Sequence, residues 1–237
     1  MELKYKSRLQ KYEIIEVDGE EILKETAEWS QFKSEKMLFH KAKKSSIPEH
    51  ALGLTLDDLI NLKDIQRKLT KYIDEFETKY KSIHLYLWSK QNGTQKTTAA
   101  SIIAKDLILK GYSVEFILMS TLSKMLTKES WEDEADSQIK KLESCDFLVI
   151  DDSFDPKKIT LYKSGYQVPF LDTFLRNRLE TKRKATCFTS NVALNRLDEE
   201  AFGTSLVKLI QRSIIDPFEF TIPYSKRNDF NPNDLWS

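Results

Sequence analysis

An α/β fold, with a parallel sheet flanked by helices and a small, mainly helical segment ahead of it, is what this sequence predicts. Three observations carry that prediction. From residue 83 onward, short apolar runs alternate with helix-like stretches, the order expected of βα units. The run Phe147-Leu148-Val149-Ile150 is apolar without alternation, as in strands covered on both faces. The length of 237 residues exceeds one typical domain and falls short of two, which suggests a core over 47–237 and an appendage over 1–46.

The appendage mixes charges and aromatics. Its stretch from Phe32 to Lys44 is basic, with Met37, Leu38 and Phe39 interleaved; it reads as a solvated helix face with anchoring apolar residues, or as a partner-binding or nucleic-acid-binding element. Ser45-Ser46-Ile47-Pro48 is the linker candidate, because X-Pro favours an extended chain. From Leu56 the residues Leu59, Leu62, Ile65, Leu69, Ile73, Phe76 and Tyr80 recur every three or four positions, marking one face of a long helix. Thr55 is its N-cap candidate, with Asp57 and Asp58 in the first turn.

Residues 83–88 then predict a strand, 96–109 a helix and 114–119 a second strand. One or two helices follow over 121–144. The strand at 147–150 leads to a helix over 169–184, a strand at 186–189, a helix over 206–215 and a last strand at 218–222.

Composition narrows the function classes. Lysine plus arginine equals aspartate plus glutamate at 37 each, so contact with nucleic acid needs a local basic patch rather than the overall field. No apolar run reaches the length of a membrane span and the N-terminus is charged, which suggests a cytoplasmic protein without a membrane partner. Cys145 and Cys187 sit in or beside apolar runs, as small core hydrophobes do. His40, His50 and His84 lack metal-ligand spacing.

Chemistry concentrates at strand ends. Gly93-Thr94-Gln95-Lys96-Thr97-Thr98 lies between the first core strand and its helix, where backbone amides, a lysine and a hydroxyl can bind a triphosphate and Mg²⁺. Against the pattern G-x-x-x-x-G-K-[ST], Gln95 replaces the second glycine and Lys90 the first. Taken alone, the loop is equally a polar turn with an incidental Lys-Thr pair. Some fifty residues later, an apolar strand ends in Asp151-Asp152, an arrangement suited to holding magnesium through Asp151 and polarising a water through Asp152; paired acids also start turns. Thr189-Ser190-Asn191 ends the next strand, and Asn191 can orient a water or serve as an N-cap. Arg212 is placed late enough to act on a neighbouring subunit's nucleotide, or to form a surface ion pair. Strand ends at the carboxyl edge of a parallel sheet converge on one crevice.

Through these motifs, over about residues 47–225, the chain resembles the AAA+ helicase loaders of the DnaC and DnaI type, phage-encoded relatives included, and the related IstB transposition helpers. The resemblance implies a P-loop AAA+ core that binds ATP and Mg²⁺ and single-stranded DNA, assembles as a homo-oligomer, and carries an N-terminal segment for a replicative DNA helicase. By position it makes Lys96 and Thr97 the phosphate and magnesium residues, Asp151 and Asp152 the Walker B pair, Asn191 the first sensor and Arg212 the finger, with Lys226 and Arg227 at a later basic position. The cysteine-rich zinc module of some relatives is missing from the sequence. Gln95 crowds the phosphate and Asp152 is one methylene shorter than glutamate, so slow or partner-stimulated hydrolysis is expected. DNA-contact candidates are Lys124, Lys128 and Trp131, and Arg176, Arg178, Lys182, Arg183 and Lys184. A loader-like interaction protein without hydrolysis and a transposition ATPase are the alternatives.

Overall fold

The computed structural model describes residues 11–17, 20–127, 133–155 and 167–221. Strands β1 (Tyr12–Val17) and β2 (Glu20–Glu25) form an antiparallel hairpin, so the N-terminal segment carries two strands besides its helix, α1 (Ala27–Lys44). Asp18-Gly19 between two apolar-containing runs was the available signal, being a favoured hairpin dipeptide. Thr26 caps α1 by accepting the Trp29 N–H at 3.3 Å. Lys41, Lys43 and Lys44 fill the last turn, where the helix dipole favours cations. Beyond it the chain is packed: Ser45 and Ile47 are buried, and the Ser45 carbonyl accepts from Phe116 N–H at 2.9 Å.

The single helix expected from Leu56 to Tyr80 is broken. A 3₁₀ turn, Leu56–Asp58, is followed by α2 (Lys63–Asp74) and a π turn, Phe76–Tyr80. The Asp58 carboxylate accepts from both the N–H and the hydroxyl of Thr55, at 2.7 and 2.9 Å, and Asn61 is left-handed at φ 59°, which stops helix propagation. The apolar spacing still served packing, since Leu56, Leu59, Leu62, Leu69, Ile73 and Phe76 are all buried.

The core elements follow the predicted order: β3 (Leu85–Trp88), α3 (Lys96–Leu109), β4 (Val114–Leu118), α4 (Met119–Thr127), α5 (Asp133–Ser144) and β5 (Phe147–Ser153). Next come α6 (Gln167–Arg176) with a π turn at Asn177–Thr181, β6 (Ala185–Ser190), α7 (Glu199–Phe202), α8 (Thr204–Ser213) and the short β7 (Phe218–Glu219). Ile222, expected in the last strand, lies outside the described residues. The sheet order is β4-β5-β6-β3-β7, and every pairing is parallel. The strand bearing the acids is thus separated from the strand before the loop by β6.

Alternation along the strands builds two cores. Leu85, Leu87, Phe147, Val149 and Cys187 pack with α2 and α3, while Tyr86, Leu148, Ile150 and Phe188 pack with α4, α6 and α8, because successive side chains leave a strand on opposite faces. Burying one large apolar side chain contributes about 1.5–3 kcal/mol. Burial and the charge of Asp151 push the Cys187 thiol up, and both cysteines are free, as core residues rather than redox groups. Among the described residues no helix is long and apolar enough to cross a membrane.

Arg178, a DNA-contact candidate by sequence, is instead fully buried. Its guanidinium donates to the carbonyls of Leu142, Glu143, Cys145 and Ala185 at 2.7–3.1 Å and to the Thr186 hydroxyl at 2.9 Å. It therefore closes the C-terminal end of α5, where carbonyls lack helical partners and the dipole favours a cation. His84, 6% exposed, has an Nδ1 without a hydrogen-bond partner. Burial, with the Arg178 charge, lowers its pKa to about 4.

His84 makes stability depend on acidity. Between its unfolded value near 6.5 and its folded value near 4, the unfolded chain binds a proton that the folded chain refuses. Stability contributed by neutral His84 is present above the unfolded value and is lost as the pH falls through this window, at up to about 1.4 kcal/mol per pH unit. Urea unfolding from pH 6.5 to 4.5 is expected to show a shallower pH slope for His84→Asn than for the unmodified chain; equal slopes would refute this role.

Candidate functional site

The loop after β3 is shaped by two left-handed residues, Gly93 at φ 73° and Gln95 at φ 67°. They turn the chain so that α3 starts at Lys96. Glycine takes that conformation freely; for a residue with a Cβ it costs roughly 1–2 kcal/mol. Gln95 offsets part of that cost with its side chain, whose Oε1 accepts the Ile60 N–H at 3.2 Å. This turns the amide toward the segment before α2, relieving the crowding expected from a side chain at this position.

Inside the loop, Lys96 is 8% exposed, and its ammonium donates to the Gln91 carbonyl and the Thr94 hydroxyl, both at 3.0 Å. The Thr94 hydroxyl in turn donates to Gln91 at 3.4 Å. Gln95 provides no side-chain cap, so the first-turn N–H groups of α3, including those of Thr97 and Thr98, form the positive end of the helix beside the lysine. Such a donor set fits an anion of the phosphate kind.

Asp151 lies below the loop and is 8% exposed. Its Oδ1 accepts two hydroxyls from different elements, Thr97 on α3 at 2.8 Å and Thr189 on β6 at 2.5 Å. The β5–β6 register shifts between Ile150 and Ser153, and Asp152 is left-handed at φ 58°, the geometry of a β-bulge. The bulge takes the Asp152 N–H out of the ladder, and the Thr189 hydroxyl accepts it at 3.0 Å. One hydroxyl thus orients Asp151 and satisfies the amide of Asp152. Thr189 belongs to the Thr189-Ser190-Asn191 segment, whose sequence candidate is Asn191 for its amide. The signal that would have found it is a hydroxyl at the strand position beside the paired acids.

Carboxylate plus hydroxyl is an oxygen donor set suited to Mg²⁺, which retains several waters and takes few protein ligands. Asn191 adds a link across the crevice: its Nδ2 donates to Asn92 Oδ1 at 3.0 Å. Loop, β5 end and β6 end are thereby brought together. Arg212 is engaged elsewhere, by Glu180, which also binds Arg176 at 2.9 Å.

Among the described residues, three of the other cations suggested for DNA contact form ion pairs. Arg176 pairs with Asp172, Lys182 with Glu143 and Lys184 with Asp146. Lys124 and Arg183 are exposed. Lys128, Trp131, Lys226 and Arg227 lie outside the described residues.

Thr189→Val keeps the shape of residue 189 and removes its hydroxyl, taking one acceptor from the Asp152 amide and one hydroxyl donor from Asp151. A stability loss of about 1–3 kcal/mol is expected in urea unfolding, whereas Thr189→Ser should stay close to the unmodified chain. Equal stability for all three would contradict the bridging role.

No protein-family model and no curated protein matches the chain. Solved structures do match. DnaI superposes with a TM-score of 0.58 at 22% identity, over 74% of this chain and 95% of that one. The DnaC helicase loader gives 0.54 at 15% identity, over 73% and 100%. The replication initiator DnaA bound to AMPPCP and single-stranded DNA gives 0.59 at 13% identity, over 75% of this chain and 52% of that one, so the match spans about half of the DnaA chain. The protein shares the fold of these structures, a parallel sheet flanked by helices.

Proposed function

We propose that this chain is an ATP-binding AAA+ protein of DNA replication that loads a replicative helicase onto single-stranded DNA, with slow or partner-stimulated hydrolysis. One observation carries the reading: hydroxyls from the loop helix and from β6 meet on the buried Asp151 carboxylate, directly behind a lysine-bearing loop. Likeness of fold to DnaI, to the DnaC helicase loader and to a DnaA that holds AMPPCP and single-stranded DNA supports it.

In this reading Lys96 leaves its loop acceptors to meet the β- and γ-phosphates, while the backbone from Gly93 to Thr98 encloses them. Thr97 and Asp151 would hold the magnesium. Asp152 accepts a hydrogen bond from the attacking water, and Asn191 fixes that water's orientation from the β6 side. A bound magnesium–ATP supplies the phosphoryl group and the charge that these residues neutralise. Arg212 exchanges Glu180 for the nucleotide of a neighbouring copy; ion pairs as exposed as this one are worth little and exchange readily. Residues 1–46 are the partner-binding segment, 47–237 the ATPase domain, and the setting is cytoplasmic.

Binding of a fluorescent ATP analogue and release of phosphate, with and without single-stranded DNA, test the proposal on the full chain and on Lys96→Ala. Losing charge-assisted phosphate bonds should weaken binding by on the order of 10- to 100-fold. An unmodified chain that binds no nucleotide would sink the ATPase reading.

A further inference from the structure

The β1–β2 hairpin has an unusual surface. Ile14 and Leu23 are directly opposite one another in the register and are 66% and 73% exposed. On the same face the next pair is Glu16 opposite Glu21, two like charges whose juxtaposition disfavours the hairpin. The opposite face is also open, with Val17 and Ile22 exposed. A two-stranded hairpin is marginal in water unless something covers it. Its own helix meets it near the entry to α1, where Glu25 accepts from Lys33 and Ser30. The face bearing Ile14 and Leu23 therefore calls for a surface that offers an apolar anchor flanked by cations.

The same chain displays one. Lys33, Lys36, Met37, His40, Lys41 and Lys44 line a shallow groove along α1, with Met37 56% exposed. The opposite side of the helix faces the core, through the buried Ala42 and the partly buried Leu38. The stripe from Lys33 to Lys44 is roughly 17 Å long at the helical rise, and a strand of six residues is about 20 Å. Length, polarity and charge sign agree.

We infer that the hairpin of one copy docks on α1 of the next, with Ile14 and Leu23 against Met37 and the Glu16–Glu21 pair against Lys41 and Lys44. Each copy offers both surfaces, so the contact is head-to-tail and propagates from copy to copy. A patch this small falls below the area of a stable stand-alone interface, so the contact is weak and salt-sensitive. It is separate from the nucleotide site and leaves the other hairpin face free for a different protein.

Sedimentation velocity of the full chain over a range of concentrations at low salt tests it. Unmodified protein should self-associate. Glu16→Lys with Glu21→Lys, and separately Lys41→Glu with Lys44→Glu, should each weaken association at least about tenfold, because like charges then face each other. An equimolar mixture of the two variants should recover association, since the reversed hairpin meets the reversed helix. Met37→Asp, which leaves the hairpin intact, should weaken association as well. Unchanged nucleotide binding and circular dichroism would establish that the variants fold, and they keep this result distinct from the fate of the ATPase reading. The inference is overturned if the unmodified chain stays monomeric throughout, if the variants associate as it does, or if the mixture stays dissociated.

Discussion

The Asp151 carboxylate is held from two sides, by Thr97 at the start of α3 and by Thr189 at the end of β6, and much of the molecule is arranged around that contact. A carboxylate this buried needs hydrogen-bond donors to remain in place, and the two it has come from elements separated in sequence by most of the core. Their meeting requires β6 to lie next to β5 and the loop helix to begin at the carboxyl edge of the sheet. Both conditions are met by the strand order β4-β5-β6-β3-β7. The bulge at Asp152 belongs to the same arrangement, because the hydroxyl that fixes Asp151 also receives the amide which the bulge frees.

Rigidity behind the site comes from the packing of the sheet on both faces. Strand residues alternate between a core with α2 and α3 and a core with α4, α6 and α8, so a shift of β5 or β6 would disturb both. Arg178 fastens the far end of this scaffold by joining the end of α5 to the start of β6 through uncharged acceptors. Its burial is tolerated because every one of those contacts is a hydrogen bond. A cation that looked available to DNA in the sequence is thereby used to hold β6, and through it Thr189, in register.

Much of this was legible in the residues. Helix α3 begins and ends where its pattern placed it, and the unbroken apolar run of β5 correctly implied a strand covered on both faces. The paired acids at its end lie where the carboxyl-edge rule puts them. What was obscured depended on tertiary contacts. Periodicity from Leu56 to Tyr80 records which residues face the core and is blind to the left-handed Asn61 that divides the segment. The hairpin was hidden because its glutamates and exposed apolar residues alternate toward no core of their own. Gln95 reads as an obstacle because the sequence does not reveal that the Ile60 N–H lies near enough to donate to its side-chain oxygen. The partnership of Arg178 with four carbonyls cannot be read from a residue type that usually lies at the surface.

In the proposed function, Asp151 and Thr97 are the magnesium-holding pair. Calorimetric titration with ATP at controlled free Mg²⁺ tests that directly. The unmodified chain is expected to bind ATP more tightly as free Mg²⁺ rises, while Asp151→Asn and Thr97→Val keep their magnesium-free affinity and lose the enhancement. An Asp151→Asn chain whose ATP affinity responds to Mg²⁺ as strongly as the unmodified protein would contradict the account.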